Sequence, residues 1–130
     1  MNICVDFDGT CVTHDYPEIG KDIGAVPVLK KLVDEGNQLI LFTMRSDKFG
    51  DHLTQAVDWF KENDISLWGI QTNPEQHTWT DSPKAYGNIF IDDAALGAPL
   101  KLDLNVSPHP FIDWTKVEEI LHLIGAINNK

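Results

Sequence analysis

The sequence predicts an α/β fold, a three-layer arrangement in which a parallel sheet of about five strands is covered by helices on both faces. Three observations predict it. Short apolar runs alternate with stretches of helical periodicity. Each run is apolar at consecutive positions, the pattern of strands buried on both faces. The 130 residues contain no repeat, low-complexity tract or linker, which fits one domain spanning 1–130.

The elements follow in order. Residues 2–7 (NICVDF) read as the first buried strand. Residues 10–24, punctuated by glycine and proline, read as a loop or small flap. Residues 25–36 read as a helix. Pro27 suits its first turn, Val26, Leu29, Leu32 and Val33 recur at helical spacing, and Gly36 can end it in the left-handed conformation. QLILFT (38–43) is the second strand. Residues 50–63 form the next helix, with Leu53, Val57 and Phe60 on its apolar face and Asn63 as its stop. LWGIQT (67–72) is a third strand, 73–87 is irregular, NIFID (88–92) is a fourth strand, and a short strand is expected around Leu100–Leu104. Asp113 is placed to cap a last helix to about Ile124, with Val117, Ile120 and Leu121 on its apolar side.

Composition narrows the function classes. The chain is 42% hydrophobic and 23% charged, a globular rather than a disordered balance. Twenty acidic against ten basic side chains leave a net charge of −10. Such a surface repels phosphate backbones and anionic bilayers at long range, which argues against long nucleic acid and membrane as partners but allows a locally positive pocket. No stretch approaches the ~20 apolar residues of a membrane span. Residues 1–6 lack a basic segment followed by an apolar run, so no secretory signal and a cytoplasmic location are expected. Cys4 and Cys11 sit too close together for a disulfide framework and are expected as buried thiols.

In parallel sheets, ligands bind beyond the carboxyl ends of the strands. The polar residues there are Asp6 and Asp8 after the first strand, Thr43 after the second, and Asp92 and Asp93 after the fourth. Four carboxylates at one rim repel unless a cation sits among them or one keeps a proton. An all-oxygen site with room for water and phosphate suits Mg²⁺. Thr43 adds a hydroxyl and Lys84 an ammonium, donors for phosphate oxygens. Gly9 permits a tight turn that can aim backbone N–H groups at the same anion. The alternation in Asp6-Phe7-Asp8 puts both carboxylates on one side, so that one can attack phosphorus while the other handles the leaving-group proton.

DFDGT (6–10) at the end of an N-terminal strand resembles the first motif of the haloacid dehalogenase-like superfamily. The apolar strand ending in Thr43 resembles the second motif, Lys84 the third, and the Asp92-Asp93 pair the fourth, all in the family's order. The resemblance is to small, capless, phosphatase-type bacterial and phage members, and it implies a Rossmann-like catalytic domain. It also implies roles. Asp6 would be the nucleophile, forming an aspartyl-phosphate, and Asp8 the acid/base. Asp6, the main-chain carbonyl of Asp8, and Asp92 would bind Mg²⁺, with Asp93 a ligand through water. Thr43 and Lys84 would hold the phosphoryl group, and Lys84 would also orient Asp6. Asp8 points to phosphoryl transfer rather than dehalogenation. The stretches between Asp8 and Thr43 and between Thr43 and Lys84 are already filled by predicted elements, so no cap domain is expected. The resulting expectation is a Mg²⁺-dependent phosphomonoester hydrolase. Its substrate would be a small phosphorylated molecule or a phosphorylated macromolecule, with a homo-oligomer as one way of closing an open site.

Other readings stand beside these. Arg45 either binds a substrate anion or pairs with a surface carboxylate. Asp93 is either a metal-site residue or a helix N-cap. Lys84 is either a site residue or a solvated loop lysine. His14, Asp15 and Tyr16 either touch substrate or form a solvated turn. Trp68, Trp79 and Trp114 are expected in or near the core rather than as a stacking platform. His77, His109 and His122 lack the spacing of a zinc site. At the level of the whole protein, the alternatives are a phospho-accepting receiver, disfavoured because Thr72 rather than Asp ends the third strand, and a non-catalytic binding module on the same fold.

Overall fold

The computed structural model describes residues 1–128. Four strands, β1 (Asn2–Val5), β2 (Gln38–Leu41), β3 (Gly69–Ile70) and β4 (Ile89–Ile91), form a parallel sheet in the order β3-β2-β1-β4. Helices α1 (Ala25–Asp34) and α2 (His52–Glu62) connect the first three strands, and α3 (Trp114–Leu123) closes the described chain. The architecture is the expected α/β fold, and the described residues include no cap domain. Among the described residues, no helix is long and apolar enough to cross a membrane.

Register assigns the faces. Ile3 lies opposite Leu39 and Ile89, and Val5 opposite Leu41 and Ile91. These side chains join Leu29 and Leu32 of α1, Phe60 of α2, and Val117 and Leu121 of α3 in one core, so all three α-helices serve the same sheet face. The chain steps from β1 to β2 to β3 in one direction, and right-handed crossovers then place α1 and α2 on one side. It next returns past β1 to β4, so the crossover 71–88 takes the opposite face. Strand order therefore reverses between β1 and β4, where a ligand crevice is expected.

The opposite face has a smaller apolar cluster of Cys4, Ile40 and Ala85 with Phe42 and Trp68. The helical content of its cover is one 3₁₀ turn, η1 (Gln76–Thr78), rather than the α-helix expected on each face. Pro74 and Pro83 interrupt this crossover, and two buried amides organise it instead. Asn73 Oδ1 accepts from the N–H groups of Glu75 and Gln76, and Gln76 Nε2 donates to the carbonyls of Ser82 and Lys84.

The fifth expected strand does not join the sheet. Leu100–Lys101 (β5) pairs antiparallel with Phe111–Ile112 (β6) as a separate ribbon. Leu100, Leu102 and Leu104 alternate with polar residues and are exposed, which suits a half-wet ribbon and not a strand covered twice. β6 is too short to show as a run in the sequence. It matters for the site, because Ile112 N–H donates to the Gly9 carbonyl at 3.0 Å and Trp114 Nε1 donates to the Thr10 carbonyl at 2.7 Å.

The helix ends follow local chemistry. Gly36 takes φ +92° after α1. Asn63 ends α2, but the left-handed residue is Asp64, at φ +57°. Asp113 caps α3 by accepting from the N–H groups of Thr115 and Lys116. Ile120 is exposed rather than on the buried side of α3, where Trp114 takes the added place. Trp79 departs from expectation, since it is 63% exposed.

Both cysteines are free and buried. Burial pushes the Cys4 thiol up to about 11 in spite of the nearby Lys84 ammonium, and it raises Cys11 well above the usual thiol range with the help of the Asp6 and Asp8 charges. Neither thiol forms thiolate at neutral pH, so neither should react with a thiol-exchange reagent until the protein unfolds. Two equivalents titrating only in denaturant is the expected result, and rapid native-state labelling would contradict it.

Candidate functional site

The site forms where the sequence places it, at the carboxyl ends of β1 and β4. The Asp6 N–H donates to the Ile91 carbonyl at 3.0 Å, so the residue leaves β1 still tied to β4. Asp6, Asp92 and Asp93 each offer a carboxylate oxygen within 4.8 Å of the others. Thr10 Oγ1 lies 3.0 Å from Asp6 Oδ2 and 3.2 Å from Asp93 Oδ1, and it accepts the Asp93 N–H at 3.1 Å. Asp93 Oδ2 lies 2.7 Å from His14 Nε2. Asp92 Oδ1 accepts the Ala94 N–H. No helix starts at Asp93, which removes the N-cap alternative. Thr10 and His14 knit the carboxylates together. Thr10 passed unnoticed as part of a strand-end motif, and only the fold brings His14 to Asp93.

Electrostatics tests whether this set fits a cation. Asp6 is pushed up from 3.8 to about 8, first by burial, then by the Asp92 charge, with the hydrogen bond from Asp93 adding to both. The Phe7 N–H and the Thr10 hydroxyl act in the opposite direction without reversing the shift. Without a compensating charge, the cluster retains a proton near neutrality. Hard, compact carboxylate oxygens at an open rim fit Mg²⁺. The group that could hold an ion is made of three carboxylates, with His14 bonded to its edge through Asp93.

Asp8 is directed elsewhere. Its two carboxylate oxygens accept from Arg45 Nε at 2.8 Å and Nη2 at 2.9 Å. Its carboxylate is thereby committed to an ion pair with Arg45. Arg45 is 2% exposed, and its other N–H groups go to the carbonyls of Pro17, Glu18 and His52. Its guanidinium carbon lies about 5 Å from the ring centroids of both Phe7 and Tyr16. All five donors are taken, so none remains for a substrate anion. Of the two readings of Arg45, carboxylate pairing holds, and the pair is buried rather than superficial. The same bonds tie down the 10–24 segment, in which Thr10–Thr13 are buried and His14–Ile19, Lys21, Asp22 and Gly24 are exposed.

Thr43 sits one strand over, at the end of β2. Its hydroxyl oxygen accepts the Arg45 N–H at 3.1 Å, which leaves its own proton for another acceptor. Gln71, at φ +66° beyond β3, clamps this turn by accepting from Thr43 N–H and donating to the carbonyls of Thr43 and Arg45. Gln71 was missed because a lone polar residue after an edge strand carries no sequence signature. Lys84 does not join the carboxylates. Its Nζ lies 5.4 Å above the Phe90 ring, and among the described residues no carboxylate pairs with it.

Gly9 holds the centre of the site at φ +81°. A Cβ there would fall 2.1 Å from His14 Nε2 and 2.4 Å from Asp93 Oδ2. The Gly9 turn does not aim its amides at an anion, as the sequence suggested. The N–H groups of Gly9, Thr10 and Cys11 bond to the carbonyls of Val12 and Phe7. The turn instead brings Thr10 and His14 onto the carboxylates. Gly9→Ala is expected to cost about 2 kcal/mol or more through backbone strain and the displaced His14–Asp93 pair. Chemical denaturation measures it, and a loss below about 0.5 kcal/mol would contradict the packing.

Fold and site together define an α/β protein with a carboxylate-lined crevice at the reversal point of a parallel sheet. A solved structure described as a conserved protein coded by a locus of Bacteroides thetaiotaomicron is similar over 100% of this chain and 98% of that one, with 32% identity and a TM-score of 0.74. The chain belongs to the same family as that protein. No protein-family model matches the chain, and no curated protein does.

Proposed function

We propose that the protein is a Mg²⁺-dependent phosphomonoester hydrolase of the haloacid dehalogenase-like type, acting through an aspartyl-phosphate. The observation that carries this reading is the convergence of Asp6, Asp92 and Asp93 within 4.8 Å at the β1–β4 crevice. Asp6, Asp92 and the main-chain oxygen of Asp8 would hold the ion, with Asp93 reaching it through water. When bound, Mg²⁺ neutralises the carboxylates and draws charge from the phosphoryl oxygens. An Asp6 oxygen bonds to phosphorus as the ester P–O bond breaks, and the leaving oxygen takes a proton. Water then adds to phosphorus, the bond to Asp6 breaks, and inorganic phosphate leaves with the carboxylate restored. The Thr43 hydroxyl, whose proton is not committed to Arg45, would donate to the phosphoryl group. Asp8 is the proton carrier of this scheme and must loosen one Arg45 contact to serve. The substrate would be a phosphorylated small molecule or macromolecule of the cytoplasm.

The test is hydrolysis of an aryl phosphate with and without Mg²⁺, on wild type and Asp6→Asn in parallel. Mg²⁺-dependent turnover that falls by ~10³-fold or more in the variant is expected. Turnover that survives Asp6→Asn would sink the mechanism.

Two observations favour a second reading, a Mg²⁺-binding module without turnover. Asp8 is paired with Arg45, and among the described residues Lys84 forms no ion pair with a carboxylate. Calorimetric Mg²⁺ binding with no hydrolysis across a broad panel of phosphate esters would select it.

A further inference from the structure

We propose that the cleft formed by Trp79, Tyr86 and Phe90 receives a planar aromatic ring, so that the ligand is an aromatic phosphomonoester of the nucleoside monophosphate kind. The inference rests on the phosphomonoesterase reading for the phosphate end of the ligand and specifies the other end. The cleft encloses about 370 Å³ on the sheet face opposite the α-helices. That is the size range of a small-ligand site.

The rings are grouped rather than scattered. Trp79 meets Tyr86 edge to face at 5.6 Å, and Tyr86 and Phe90 are each exposed by about two-fifths. Trp79 is the most exposed of the three, and an exposed indole is a stacking surface that tolerates any base because each has a π-face. Charge points the same way. In a chain with 20 acidic residues, Lys84 stands over Phe90 with no carboxylate partner among the described residues. A cation next to an aromatic cleft is complementary to an aromatic anion. The rim supplies donors. Thr80 Oγ1 accepts the Ser82 N–H and Ser82 Oγ accepts the Lys84 N–H, so each hydroxyl proton is left for a ring nitrogen or carbonyl.

Spacing connects the cleft to the carboxylates. Phe90 precedes Asp92, which directly follows β4, by two residues, a separation of about 7 Å along extended chain. A ring stacked near Phe90 and a phosphate at Asp6 and Asp92 are separated by roughly the length of one pentose. The net charge of −10 favours a single nucleotide over a polymer.

NMR on the full chain reads the test. The four tryptophan indole N–H signals are followed during titration with adenosine 5′-monophosphate or ribose 5-phosphate in Mg²⁺, with Trp79 assigned through Trp79→Phe. Phosphorus spectra of the same samples report hydrolysis. The nucleotide is expected to shift the Trp79 signal saturably and to bind about tenfold or more tightly than ribose 5-phosphate. Trp79→Ala, a change at an exposed position, should remove that advantage and leave ribose 5-phosphate affinity unchanged. Equal affinities, or an advantage that survives Trp79→Ala, would overturn the proposal. Ring-dependent binding without phosphate release supports the cleft and counts against hydrolysis. Release from both compounds with equal kcat/KM supports hydrolysis and counts against the cleft.

Discussion

Arg45→Met should destabilise the protein by about 3–5 kcal/mol, because it leaves a carboxylate without its partner at the rim of the core. Arg45 is buried with all five N–H groups bonded, and Asp8 answers it with both oxygens. The variant loses that ion pair and also leaves the carbonyls of Pro17, Glu18 and His52 without their donors. For a domain of this size the melting temperature should fall by roughly 10–20 °C. Arg45→Lys should recover little, since one ammonium cannot bridge two carboxylate oxygens and three separated carbonyls. Thermal denaturation followed by circular dichroism decides it. A shift below about 3 °C would mean that Arg45 is not the post holding the DFDGT turn, the 10–24 segment and the start of α2 together.

Asp6→Asn has the opposite sign for stability. In the folded protein Asp6 keeps its proton to about pH 8, whereas in the unfolded chain it releases it near 3.8. Below about pH 4 both states are protonated and the group contributes nothing. As pH rises towards 8, the unfolded chain ionises and the folded one does not, so the metal-free protein steadily loses stability. By pH 7 the loss reaches at most about 4 kcal/mol. Asn holds no charge in either state. Metal-free Asp6→Asn should therefore be more stable than wild type at pH 7, by about 1–3 kcal/mol after relaxation, and indistinguishable from it at pH 4. Saturating Mg²⁺ should raise the wild-type melting temperature more at pH 8 than at pH 5, because the ion binds the ionised cluster, and should do little for the variant. A variant less stable than wild type at pH 7 without metal would show that Asp6 is not held against its own charge.

These two residues also show what could be read in the chain. Asp6 and the Asp92-Asp93 pair were visible because each follows an apolar strand, and parallel sheets gather such strand ends at one rim. Arg45 was visible as a residue but not as a role. Its partners come from the DFDGT turn, the 10–24 segment and the start of α2, segments far apart along the chain. Lys84 matched a motif position, yet its ammonium settles over Phe90. The crossover that carries it is organised by two buried amides, and no periodicity announces such a loop. Trp79 was expected to be covered because large aromatic side chains usually are. It is exposed because the same amide-held loop presents it outward.

By itself, the sequence determined the α/β class, the three α-helices with the caps at Gly36 and Asp113, the four parallel strands, and the acidic strand ends. All of these follow from local pattern, since apolar runs, helical spacing and strand-end carboxylates lie along the chain. Only the tertiary structure decided that the fifth strand leaves the sheet, that Asp8 is given to Arg45, that Thr10 and His14 join the carboxylates, and that Trp79 and Lys84 face a common cleft. Each of those depends on which distant segments meet, and that is settled by strand order and by the pairing of buried polar groups, neither of which a linear pattern records.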